Sequence, residues 1–204
     1  MTSTTQRQSD LLRVARDHFA DRGYQGTSLA QIAAELGVTK QALLHHFKSK
    51  DQLYRSVLTQ VTQELLQLLF AAMEDEAEPA EQQLERFFAA LSGYLVEHRA
   101  AAGLVIAALT DGPGLKALAQ DAKAPLQDFL EPLVALVQAT DRWQGQGFAA
   151  ALTAGVELLG AICLMTAAQC SLAQRFGRDV ADQSSSQASA HLPDLVAALL
   201  RGQT

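Results

Sequence analysis

Lys40, Gln41 and His45 stand close together on one short stretch and carry the hydrogen-bond donors and acceptors that read base edges. Gln41 can pair bidentately with adenine, a contact that discriminates by about 1–3 kcal/mol. Ser28, Thr39, Lys48 and Lys50 flank them with hydroxyl and ammonium groups suited to phosphate oxygens, where helix N-termini add a favourable dipole. This is recognition chemistry. For bond-making chemistry the chain offers no Gly-rich phosphate loop, no paired carboxylates at a cleft-like turn, no Cys/His metal spacing and no nucleophile motif. No catalytic residue, metal or cofactor is therefore expected. His45 and His46 are adjacent, and neighbours on a helix point about 100° apart, so they cannot share an ion. His45 is expected on a base edge and His46 in packing. His18 and His98 lie near apolar stripes and read as interior or boundary residues.

Short helices must position these groups. Ser28 and Gln31 make a capping box that starts a helix over Leu29–Leu36. Gly37-Val38 interrupts it, and Thr39 caps a third helix reaching Phe47. Two short helices that cross steeply need a small residue at their approach, a turn residue tolerant of positive φ, and apolar residues in the angle. Ala33 meets the first need and Gly37 the second, while Ile32, Leu36, Val38 and Leu43 meet the third. The helix after the turn can then lie in a major groove, leading with its N-terminal residues. An ordinary helical hairpin whose turn happens to hold Gly satisfies the same pattern.

Upstream, Leu11, Ala15 and Phe19, widened by Leu12 and Val14, mark a first helix over about Thr5–Arg22, with Gly23 as its stop. Downstream, Ser49 and Gln52 cap a long fourth helix whose apolar face is Leu53, Val57, Val61, Leu65, Leu68 and Leu69. The acidic run Glu74–Pro79 is a solvated connection. A fifth helix carries Leu84, Phe87, Phe88, Leu91 and Leu95 on one face, and a short apolar helix over Ala101–Leu109 ends at Asp111-Gly112-Pro113-Gly114. The stretch Leu115–Ala139 must bend or restart at Pro125 and Pro132. After a loop at Trp143–Gly147, residues 148–172 form a long apolar helix with the single formal charge Glu157. Its Ala, Gly, Thr and Ser content and Gln169 point to burial in protein rather than in lipid. Gln183–Gln187 is expected to be flexible, and Leu192–Leu200 to close the chain as an amphipathic helix. No strand-like alternation occurs, so the chain is all-α.

Charge is divided along the chain. Residues 1–60 hold eight Lys/Arg against five acids, and the remainder holds eight against seventeen, within a total of −6. A basic head on an acidic body turns one face toward phosphates and the other away. The polar start of the chain lacks the apolar core of a signal peptide, so a cytosolic location is expected. Cys163 and Cys170, seven residues apart on one helix, lie about 10 Å apart by rise and are expected as buried free thiols.

Together with their flanks, these residues resemble the TetR family. The family's head runs from Gly-aromatic through Thr-Ser, Ile-Ala and Gly-Val-Ser/Thr-Lys to a His-Phe end of the third helix and a Lys-Ser-Lys-Glu/Asp-x-Leu start of the fourth. This chain has Gly23-Tyr24, Thr27-Ser28, Ile32-Ala33, Gly37-Val38-Thr39-Lys40, His46-Phe47 and Lys48-Ser49-Lys50-Asp51-Gln52-Leu53, a resemblance over roughly residues 7–60. Two positions depart from it. Leu44 stands where the family usually has a Tyr that reaches phosphate, and is suited instead to a thymine methyl; Gln41 stands where Gly is common.

The resemblance implies a three-helix helix-turn-helix DNA-binding domain over 1–52. A larger helical effector-binding and dimerisation domain would follow over 53–204, about nine helices in all. It also implies a cytoplasmic regulator, a repressor rather than an activator, with no membrane partner. Such a protein binds a palindromic double-stranded DNA operator as a homodimer, its recognition helices about 34–36 Å apart, and is released by a small, largely apolar effector. The alternative is a TetR-like adaptor that acts through protein contacts without DNA, prompted by Leu44 and the acidic body. Family members dimerise through their last two long helices. Here Ala154, Gly155, Gly160 and Ala161 would allow close approach, with Leu195 and Leu199 on the final helix. Phe87, Phe88, Tyr94, His98, Phe129, Met165 and Gln169 are candidate effector liners, inward-facing bulk with a few polar tips, and the same residues equally suit plain core filling.

Overall fold

Ser28, Thr39 and Ser49 each precede a run with helical apolar spacing, and each caps a helix in the computed structural model. Their side chains accept from the backbone N–H groups of Gln31, Ala42 and Gln52 respectively. At the first of them the capping box is complete, with the Gln31 side chain accepting from the Ser28 N–H at 3.0 Å. The structure describes residues 2–110, 124 and 126–201. These form nine helices and no strand: α1 Thr2–Gly26, α2 Leu29–Glu35, α3 Lys40–Phe47, α4 Lys50–Ala72, α5 Ala80–Glu97, α6 Arg99–Thr110, α7 Gln127–Gln138, α8 Phe148–Phe176 and α9 Arg178–Arg201. The expected turn at Asp111–Gly114, the stretch Leu115–Lys123 and Pro125 lie outside the described residues.

Helix α1 breaks where expected, at Gly23, whose φ of 66° is open to glycine at no steric cost. Helices α2 and α3 cross around Gly37 (φ 65°), with Ala33, Ile32 and Leu43 buried in the angle. Val38 departs from expectation. It is 43% exposed, because its backbone N–H closes the turn onto the Ala33 carbonyl at 2.9 Å and leaves its side chain outside the angle. A pad of aromatic rings, Phe19, Tyr24 and Tyr54, seats α1 on the start of α4, with Phe19 and Tyr54 centroids 4.8 Å apart.

From this head one apolar core runs without interruption into the body, through Val61, Leu65 and Leu69 of α4 to Leu84, Phe87, Phe88, Leu91 and Leu95 of α5. Helices α6, α7 and α9 pack on α8, and α9 also packs on α5. Helix α7 runs through Pro132 without restarting. The proline costs one hydrogen bond near the start of that helix, and Phe129, Leu133, Val134 and Val137 bury its inner face. Gln183–Gln187 is not a loop: α9 continues from Arg178 to Arg201, because Ala181, Leu192, Val196 and Leu200 dock it on its neighbours through the polar stretch. Cys163 is buried but Cys170 is exposed, since seven residues on a helix of 3.6 per turn do not return to quite the same face at this edge of the buried arc. Desolvation pushes the Cys163 thiol up to about 12.

Two outcomes test this packing. Phe87 is fully buried between the Phe88 and Phe129 rings, so Phe87→Ala should cost about 3–5 kcal/mol in chemical denaturation. Phe148→Ala, at a site 54% exposed, should cost less than about 0.5 kcal/mol. Lys48 ends α3 at a φ of 46°, strained for a residue with a Cβ. Lys48→Gly should raise stability by about 1 kcal/mol, and a lowered melting temperature would contradict the strain.

Candidate nucleic-acid interface

Helices α2 and α3 have seven and eight residues, too short to persist alone, so the packing of Ile32, Leu43 and Phe47 must hold them. With that side buried, the opposite side of α3 is left to solvent. Gln41 and His45 are exposed on it, Lys40 is exposed as the first residue of the helix, and Leu44 is half-buried. Thr39, exposed at the N-terminus of α3, accepts from Ala42 N–H at 3.1 Å, so its hydroxyl proton is still available to an anion. Ser28 uses its hydroxyl within its own cap, accepting from Gln31 N–H and donating to Gln31 Oε1 at 3.0 Å. Lys48 is exposed.

Lys50 is held differently. Its ammonium lies 4.3 Å from the Tyr24 ring centroid, and partial burial lowers its pKa. The Tyr24 hydroxyl in turn donates to Asp51. Lys50 thus ties the end of α1, beyond its break at Gly23, to the start of α4. His46 is exposed beside Leu36, Val38 and Leu43 in a shallow cleft rather than packed, because Phe47 takes the buried position at the end of α3. His18 is interior and satisfied. Arg22 Nη1 donates to its Nδ1 at 3.1 Å, so Nε2 carries the proton and donates to Glu35 at 2.8 Å, joining α1 to α2.

The remaining candidates scatter. Phe87, Phe88 and Phe129 fill the core, with the Phe87 centroid 5.0 Å from Phe88 and 5.9 Å from Phe129. Tyr94 joins a polar network described below, and the ring of exposed His98 lies tilted against it with centroids 4.6 Å apart. Met165 lines an open groove of about 240 Å³ between α5, α8 and α9, together with Val96, Leu192 and Leu195. Gln169 is buried, and its Nε2 has no hydrogen-bond partner among the described residues. These seven residues do not gather around one cavity among the described residues. Of the proposed interface residues, Ala154 and Gly155 face inward, and a Cβ on Gly155 would lie 3.6 Å from Leu133. Ala161 lines the groove, a Cβ on Gly160 would meet nothing, Leu195 is 46% exposed, and Leu199 is partly buried with its carbonyl accepting from Trp143 Nε1 at 3.1 Å.

Sequence reasoning missed one polar arrangement. Arg16 of α1 reaches both carboxylate oxygens of Glu64 on α4 at 2.8 and 3.1 Å, and the Tyr94 hydroxyl on α5 at 2.6 Å. The available signal was a charge set within the apolar stripe of α1, between Ala15 and Phe19. Among the described residues no group of three or more His, Cys, Asp or Glu side chains could hold a metal.

Residues 11–57 match the family described as bacterial regulatory proteins, tetR family. The HTH-type transcriptional repressor KstR2 of Mycolicibacterium smegmatis is 35% identical over 97 residues, which are 46% of this chain and 44% of that protein. The match thus spans less than half of that relative's length. In fold, the chain is similar to a TetR-like transcriptional regulator from Rhodococcus sp. RHA1, with a TM-score of 0.68 at 21% identity, covering 97% of both chains. It is also similar to the transcriptional regulator FadR from Bacillus subtilis, whose structure is a complex with stearoyl-CoA, with a TM-score of 0.57 at 17% identity over 97% of this chain and 100% of that one. With its capped head and its crossing at Gly37, the segment 11–57 is a tetR-family head, and the described residues behind it form a helical body similar in fold to TetR-like regulators.

Proposed function

We propose that the chain represses transcription in the bacterial cytoplasm by binding a palindromic DNA operator as a homodimer, and that a largely apolar small molecule releases it. One observation carries the reading: α3 stands out from its support with Lys40, Gln41 and His45 exposed together, bounded by Thr39 and Lys48. A helix so mounted can enter a major groove with those side chains on base edges and the flanking groups on phosphates. Leu44, half-buried, keeps an apolar edge for a thymine methyl. The head over 1–52 and the body over 53–204 serve as separate units in this scheme, joined by α4, which runs through the boundary.

The homodimer reading rests on α8. This helix is apolar and long enough to cross a membrane, yet 39% of its most apolar window is buried within the protein. Its outward arc carries Thr153, Glu157, Gly160, Leu164, Ala167 and Ser171, spaced alternately four and three residues apart. That spacing keeps one seam toward a partner helix, and small residues allow close approach. Gly160, Ala161 and Leu195 belong with this seam; Ala154 and Gly155 belong to the core of their own chain. The apolar effector has two supports. FadR from Bacillus subtilis, of similar fold, is seen with stearoyl-CoA. In this chain the Gln169 amide offers a buried N–H without a partner among the described residues, which a ligand oxygen would satisfy.

Wild-type affinity for a site selected from random duplexes should fall steeply with salt, with a log–log slope near −0.9 per phosphate neutralised. Lys40→Ala with Gln41→Ala should erase about tenfold or more of the preference for that site over a scrambled duplex. Absence of duplex binding even in dilute buffer would leave the adaptor reading instead. Sedimentation should find a dimer at micromolar concentration and a monomer for Leu164→Glu; a variant that stays dimeric rules out this seam.

A further inference from the structure

Head and body meet through two kinds of contact. The first is apolar and smooth: Gly103 of α6 rests on Ala20 of α1, where a Cβ on the glycine would lie 3.7 Å from the Ala20 carbonyl oxygen. Contacts of this sort resist separation but favour no particular register, because apolar burial is non-directional. The second is polar and directional. Arg16, buried in α1, grips Glu64 of α4 through both oxygens of the carboxylate and donates from its other terminal nitrogen to Tyr94 of α5. The Tyr94 hydroxyl passes its own proton toward Glu64, and Gln60 donates to the same carboxylate at 3.0 Å. Burial and the Glu64 contact raise the Tyr94 pKa, so the phenol stays neutral and keeps both roles, donor to Glu64 and acceptor from Arg16.

We propose that Arg16, Glu64 and Tyr94 are positioning residues: the three-helix network sets the angle at which the head, and α3 with it, stands on the body. One guanidinium nitrogen spans both carboxylate oxygens while the other donates to a residue 78 positions away along the chain, and the Tyr94 bond to Glu64 closes the triangle, so a rotation that keeps one contact strains another. Loosening any edge leaves α1 free to slide on its apolar contacts. Exposed His98, at the end of α5, lies against the solvent side of the Tyr94 ring with the two rings tilted by 40°. The proposal concerns the head's orientation and holds whether or not α3 reads DNA. If it does, the network governs how far apart two heads are held.

Spin labels at Ala30→Cys on α2 and Gln146→Cys before α8 report the head-to-body distance in the full chain. Cys170→Ser removes the exposed native thiol, and buried Cys163 with its raised pKa stays unlabelled. Labelled protein is diluted into unlabelled protein so that one labelled chain is read at a time. The otherwise native background should give a narrow distance distribution. Tyr94→Phe, which keeps the ring and its contact with His98, should broaden and shift that distribution while the melting temperature and helicity stay near wild type. Glu64→Gln should broaden it further. Should Glu64→Gln fail to fold, Tyr94→Phe decides alone. A distribution as narrow as wild type in Tyr94→Phe overturns the proposal, whatever happens to duplex binding. A broadened distribution in a protein that ignores duplex DNA upholds it and sinks only the operator reading.

Discussion

The closed angle between α2 and α3 is the constraint on which the rest depends. Two helices of seven and eight residues cannot hold themselves, and the burial of Ile32, Ala33, Leu43 and Phe47 against α1 and α4 holds both. Burial alone would leave their mutual angle free. Gly37, at a φ of 65°, supplies the sharp turn, and the Val38 N–H locks it onto the Ala33 carbonyl. Only with that angle fixed does α3 present Lys40, Gln41 and His45 as a set.

What lies behind the head is matched to it in charge and in mechanics. The body's acids lie away from the basic head along the chain, so the net charge of −6 does not speak against a phosphate partner. The head is not loosely tethered, because its apolar core continues into α4 and α5. Across that seam, Arg16, Glu64 and Tyr94 add what apolar packing lacks, a preferred direction. Lys50 and Asp51 do the same on a smaller scale around Tyr24. In both places a charged side chain that a sequence reading assigns to solvent or to a ligand is held by the protein itself.

The residues that misled the sequence reading share a cause. His46 and Cys170 stand at edges of helical stripes, where a few tens of degrees decide between core and water. Ala154 and Gly155 were expected at a partner helix because they are small; smallness serves equally well inside the chain, where both are buried and Leu133 of α7 lies against Gly155. Phe87, Phe88 and Phe129 were candidate liners because they are large and inward, and they fill that space with one another. Gln183–Gln187 looked flexible from its serines and glutamines, yet flanking apolar residues dock the helix that contains it.

From its residues alone the chain determined its helical class, the caps at Ser28, Thr39 and Ser49, the break at Gly23 and the turn at Gly37. Each of these is settled within a few residues by backbone geometry and hydrogen bonds to near neighbours. The fifth helix's apolar face was legible for the same reason, since one period fixes one face. Tertiary structure alone decided which small residues of α8 face inward, that α9 runs unbroken, and that Arg16 meets Glu64 and Tyr94 from 48 and 78 positions away. Those outcomes depend on which helix lies beside which, and no local pattern encodes the neighbour.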